Sequence, residues 1–213
     1  EGIEKITGSV VKIARKINLD ERDMIALRRE GLGDKAQVMN SIYNDLDNLI
    51  MSVRDRQEAM RIEALSTGAI VLNENGLKMT LDYGMPADHK VTLTSTAKWD
   101  APTTATPLDN IQAWVQKIVD DTGVSPTRAL TSNKVVANLL KNTAIRQMIW
   151  GDNGATRTIS LMQLNQQLTS MGLPIIGVYD AQTRIEDPNT GTKTTRRFLS
   201  DNMFILMPSE ILG

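Results

Sequence analysis

The feature that most limits what this chain can fold into is a helical period that runs on far longer than usual. Between residues 34 and 66, Met39, Ile42, Tyr43, Leu46, Leu49, Ile50 and Val53 recur at three- and four-residue steps. That spacing puts them on one face of an α-helix. Asp34 stands where an N-cap would, Gln37 follows three residues later as in a capping box, and Gly68 stands where a helix would end. A helix from about Lys35 to Leu65 would be on the order of 45 Å long at 1.5 Å per residue. Helices in globular domains average only about 11–12 residues. The apolar stripe is expected to be the buried face. The second half, "RDRQEAMRIEAL", is heavily charged. It fits either a solvated face with intrahelical pairs of Asp55 and Glu58 with Arg54 and Arg61, or a long edge that other chains touch.

Around this rod the patterning is mixed. Residues 3–19 carry β-branched residues in loose alternation and predict an extended strand or hairpin arm. "AIVLNENGLKMTLDYG" holds two short apolar runs split by Asn75-Gly76, a strong hairpin signal. "MPADHKVTLTSTAKW" predicts a further strand or strand-like connection, with His89, the one histidine, as a solvated loop residue. An exposed-looking Trp99 then leads into "APTTATP", stiffened by Pro102 and Pro107. Thr106 is the expected N-cap of the next helix, with Pro107 in its first position and Asp109 at the positive end of its dipole. Its apolar face carries Leu108, Ile111, Trp114, Val115, Ile118 and Val119.

The remainder reads in βα fashion. "TRALTS" is a short strand ending at Ser132, which can cap a helix carrying Val135, Val136, Leu139 and Leu140. "GDNGATRT" reads as a flexible connecting loop. Ser160 can cap a helix with Leu161, Leu164, Leu168 and Met171, closed by Gly172. "LPIIGVYD" is a buried-type strand, "TRIEDPNTGTKTTRRF" a hairpin with Asn189-Thr190-Gly191 at its tip, and "NMFILMP" a last strand. The fold class expected is α+β.

Chemistry is hard to find. No P-loop, dinucleotide fingerprint, nucleophile elbow or zincin motif is present, and the carboxylates are too scattered to name an acid–base pair. Asp152 and Asn153 lack the spacing and final Glu of a calcium loop. Catalytic, cofactor-binding and metal-ligating residues are therefore all expected to be none. The absence of Cys rules out disulfides and thiolate metal sites, and makes a reducing intracellular compartment the easier reading. A net charge of −1 gives no overall pull toward nucleic acid or an anionic membrane. Lys193, Arg196 and Arg197 form a basic cluster with few aromatics nearby, so a solvated hairpin flank is favoured over a nucleic-acid platform. The abrupt ends, "EGIEKITGSV" and "MPSEILG", suggest a piece of a longer chain.

The order of the parts carries one resemblance. "REGLGDKAQVMNSIYNDLDNLIMSVRDRQEAMRIEALSTGAIVLNENG", "KWDAPTTATPLDNIQAWV", "LPIIGVYD" and "RRFLSDNMFILMP" resemble, in that order and spacing, stretches of the major capsid proteins of tailed bacteriophages, of the phage lambda coat-protein type. Members of that family usually carry more chain before Glu1 and after Gly213. The resemblance implies a Hong Kong 97-type (HK97-like) fold with an extended loop, a long spine helix, a peripheral β-rich domain and an axial α/β domain. On that mapping residues 1–33 are the extended-loop region, 34–66 the spine, 67–105 the peripheral strands, 106–196 the axial domain and 197–213 the return strand. "APTTATP" is then the passage between two domains.

The implied function is structural: pentamers and hexamers of the chain form an icosahedral shell around double-stranded DNA, held without sequence specificity and without a membrane. The implied location is the virion capsid, assembled in the host bacterial cytoplasm, in a phage or a prophage. Partners implied are a portal, a scaffold or protease, and decoration proteins. Arg54, Arg56, Asp152 and Arg157 are the expected subunit contacts. Two alternatives stay open: another virion component such as a tube or adaptor, or an intracellular α/β enzyme with a dispersed site. A shell protein forms capsomers or particles, whereas an enzyme forms a small closed oligomer.

Overall fold

A computed structural model describes residues 21–28, 32–74, 77–186 and 190–209. The arm expected over residues 3–19 lies outside them. The chain divides into two compact units, Glu1–Ala59 and Met60–Gly213.

In the first unit, α1 covers Glu21–Arg28, and α2 (Leu32–Thr67) begins in this unit and ends in the second. At 36 residues α2 is about 54 Å long. Asp34 lies inside this helix and so is not its N-cap. The expected buried stripe is the larger correction. Met39, Tyr43, Leu46 and Ile50 are 44%, 58%, 44% and 48% exposed, and Met51 is 62% exposed. At these positions no described part of the chain covers the stripe.

The second unit starts where α2 ends. Gly68 stops the helix at a φ of 73°, its N–H bonding the Ala64 carbonyl at 2.9 Å. A Cβ there would sit 2.4 Å from that of Met85, so both the turn and the packing require glycine. Strands β1 (Ala69–Glu74) and β2 (Leu77–Asp82) form the expected antiparallel hairpin, with Glu74 opposite Leu77. The Asn75-Gly76 turn expected between them lies outside the described residues.

Of the strand or strand-like connection expected in "MPADHKVTLTSTAKW", only a connection is observed and no strand forms. The segment holds two short 3₁₀ turns, Ala87–His89 and Ser95–Ala97, and it has alternation but no ladder to join. Trp99 is not exposed: it is 8% accessible, stacked on Trp114 at 5.6 Å and edge-on to Phe204 at 5.1 Å. Its indole N–H donates to Asn110 at 3.0 Å. With few aromatics in the chain, the three meet in one core cluster.

Helix α3 (Pro107–Thr122) begins as expected with Pro107 in the first turn, although the Thr106 side chain makes no capping bond. Strand β3 (Arg128–Thr131) lies parallel to β4 (Ile175–Val178) and antiparallel to β7 (Phe204–Met207), in the order β4-β3-β7. Ser132 accepts from the Val135 N–H and so caps α4 (Asn133–Lys141), while its own hydroxyl donates to the Asp201 carbonyl at 2.6 Å. Where one helix was expected there are two. Asn142 ends α4 and caps α5 (Thr143–Trp150), a break the apolar spacing alone did not reveal. Ser160 and Gln163 form a full capping box at the start of α6 (Leu161–Ser170). Strands β5 (Gln182–Glu186) and β6 (Lys193–Arg197) form a separate antiparallel hairpin.

The main core joins Ile111, Ala129, Leu139, Ile145, Leu164, Leu168 and Ile176 on one side of the three-stranded sheet. A smaller cluster of Ile62, Leu199 and Ile205 takes in the other side. Mixed α+β architecture is therefore observed.

Candidate functional site

The four expected contact residues sit in two places. Arg54 and Arg56 both lie on α2, but two residues apart on a helix means roughly opposite sides. Accordingly Arg54 is exposed and Arg56 only half so. They do not form one patch.

Asp152 and Arg157 bracket a single turn. "GDNGATRT" is not the open flexible loop its Gly content suggested: residues Asp152–Thr156 form a 3₁₀ helix packed on α5. Gly154 is buried there, and a Cβ on it would meet the Trp150 Cβ at 2.5 Å and the Arg146 carbonyl oxygen at 2.8 Å. Arg146 donates to the Leu140 and Ala155 carbonyls, and Gln147 to the Asp152 carbonyl at 3.3 Å. The Arg157 guanidinium lies 5.3 Å from the centre of the Trp150 ring, a cation–π contact within the chain. Both Asp152 and Arg157 remain exposed.

The polar cluster nearest to a chemical site is one the sequence did not reveal. His89 is not a solvated loop histidine. Its Nε2 lies 2.7 Å from Asp121 Oδ2, with the side chain 15% exposed. The two residues are far apart in sequence, and packing of the first 3₁₀ turn on α3 brings them together. Asp88, His89 and Asp121 hold three potential ligand atoms within 4.8 Å of one another. Lys117, however, reaches in at 2.7 Å from Asp88 and 2.8 Å from Asp121. Its ammonium supplies the positive charge a cation would otherwise bring. The hydrogen bond from Lys117 holds both carboxyls below their ordinary range, with a further contribution from His89 at Asp121, and raises the Lys117 pKa in turn. The group is a surface ion-pair network that ties the connector to α3.

Within the basic cluster, Arg197 is committed internally: it pairs with Asp180 and lies 3.1 Å from Asp201, while Arg196 is exposed. No helix among the described residues is long and apolar enough to cross a membrane.

The family described as Phage major capsid protein E matches residues 1–212. Among solved structures, a candidate capsid protein of a prophage (E. coli CFT073) is similar at 16% identity and a TM-score of 0.51, covering 92% of this chain and 54% of the other. A phage-related protein from Bordetella bronchiseptica RB50 is similar at 18% identity and a TM-score of 0.48, covering 88% and 51%. The chain thus spans about half the length of these structures. No curated protein matches.

Proposed function

Because the chain belongs to the phage major capsid protein E family, we propose that its copies assemble as pentamers and hexamers into an icosahedral head enclosing double-stranded DNA. Membership itself implies a structural, non-enzymatic role in a phage or prophage capsid. The single observation that carries the finer reading is the long helix α2. It presents Met39, Tyr43, Leu46 and Ile50 at 44–58% exposure, on a helix that a compact enzyme would bury. Repeated contacts between identical chains supply the missing cover.

In this reading α2 is the spine of an HK97-like fold, residues 1–33 the extended-loop region, 67–105 the peripheral strands, 106–196 the axial domain and 197–213 the return strand. Exposed Arg54 and the Asp152–Arg157 turn meet neighbouring chains. Arg157 and Asp152 of adjacent copies form opposite-sign pairs, each contributing about 0–1 kcal/mol. A near-neutral shell holds DNA without sequence preference, assembles in the host cytoplasm, and works with a portal, a scaffold or protease, and decoration proteins.

Electron microscopy of the chain, expressed alone and with its neighbouring genes, tests the proposal. Rings or closed particles are the expected result. A small closed oligomer that stays the same size at every concentration would overturn it.

A further inference from the structure

One stretch of the second unit stands apart electrostatically. In a chain with 23% charged residues, positions 158–179 carry no Asp, Glu, Lys, Arg or His, the longest such run in the sequence. Much of it is surface. On α6, Met162 is 69% exposed, and Gln166 and Thr169, one and two turns further on, are exposed beside it. With half-buried Leu161 and Asn165 these residues line one shallow groove whose wall is mainly apolar. A soluble surface ordinarily spreads charge over such an area. Charge depletion with Met at the centre is the composition of an interface core.

The neighbouring sheet edge narrows the mode of contact. Strand β4 is an edge strand, and an open edge invites strand addition. Here Asn165 closes it: its Oδ1 accepts from the Ile176 N–H at 2.9 Å and its Nδ2 donates to the Ile176 carbonyl at 3.0 Å. The side chain stands in for a strand neighbour at that position, which leaves the exposed side chains of α6 as the broader surface for a partner.

From this we infer that the α6 groove is a contact seat for a second copy of this chain, buried on assembly. The inference rests on the shell reading above, since it takes its occupant from self-assembly. Charge supports the same occupant. A face with no charge of its own can be repeated many times around a ring without like charges being opposed, whereas an electrostatically steered partner such as DNA needs a basic counterpart that this face lacks.

The chain contains no Cys, so Met162→Cys gives a single reporter thiol at a highly exposed position. The full chain carrying it is assembled, and the rate of maleimide labelling is compared with that of the same chain dissociated by dilution. Slowing by about tenfold or more is expected, because reaction then requires the contact to open. A companion variant, Met162→Glu, is expected to keep its helical circular dichroism and lose assembled material, while Ala137→Glu, at an exposed position on α4, assembles normally. If particles form but the thiol reacts as fast as in free subunits, or if Met162→Glu assembles like the parent, the inference falls and the shell reading stands. If the parent chain forms no assembled species at any concentration, both fall. Protection only when a different protein co-purifies in the particles overturns the identical-copy occupant.

Discussion

Asn142 is the residue on which the second unit's helical layer turns, and its removal gives a quantitative test of how that unit is held. The side chain is fully buried. Its Oδ1 accepts from the Ile145 N–H at 3.1 Å, capping α5, and its Nδ2 donates to the Ala105 carbonyl at 2.9 Å, tying the Pro-rich connector to the helices. Asn142→Ala removes both bonds. Loss of an N-cap costs about 1 kcal/mol, and leaving the Ala105 carbonyl buried without a donor costs about 1–3 kcal/mol more. The sum is roughly 2–4 kcal/mol, which for a chain of this size lowers Tm by roughly 4–16 °C. Asn142→Ser separates the two terms. Its hydroxyl can still cap α5 but is too short to reach Ala105, so it should recover about 1 kcal/mol of the loss. The assay is thermal and urea unfolding followed by circular dichroism together with tryptophan fluorescence, since Trp99 lies in the adjoining core. A shift below about 2 °C for the Ala variant, or a Ser variant as damaged as Ala, would refute the view that cap and tie act separately.

Gly154→Ala should destabilise by about 1–3 kcal/mol in urea unfolding, because the added methyl meets the Trp150 side chain and the Arg146 carbonyl rather than open space. Leu46→Asp, at a position 44% exposed, should cost at most about 1 kcal/mol of helix stability by circular dichroism, yet reduce particle yield in sedimentation; loss of both together would show the stripe to be a core face after all. For the Lys117 network, Asp88 and Asp121 have pKa values lowered from 3.8. Their contribution is therefore fully present above about pH 4 and lost as pH falls through the lowered values. Lys117→Met should flatten the acid limb of the urea midpoint between pH 4 and 2.

Local signals in the sequence were enough for most elements of the second unit. Gly68, Pro107, Ser132 and Ser160 mark boundaries through chemistry that acts within a few residues: a positive φ, a fixed φ, a hydroxyl reaching an amide three positions on. The period of α2 was equally legible, because a helix face is written at three- and four-residue steps. Pattern did not reveal whether a face is covered. The Leu46 stripe reads as core and is exposed, and Trp99 reads as exposed and is buried, because periodicity records which residues lie together and not what lies opposite them. Near residue 90 a connection and not a strand forms for a related reason, since a strand needs a partner and alternation names none.

The His89–Asp121 pair and the closure of β4 by Asn165 were out of reach for the same cause. Such contacts join residues whose separation along the chain says nothing about their separation in space. Sequence alone therefore determined a long amphipathic rod and a capped α/β unit. Which faces are buried and which stay exposed was decided only by the tertiary packing, because burial depends on every element that packs against a face.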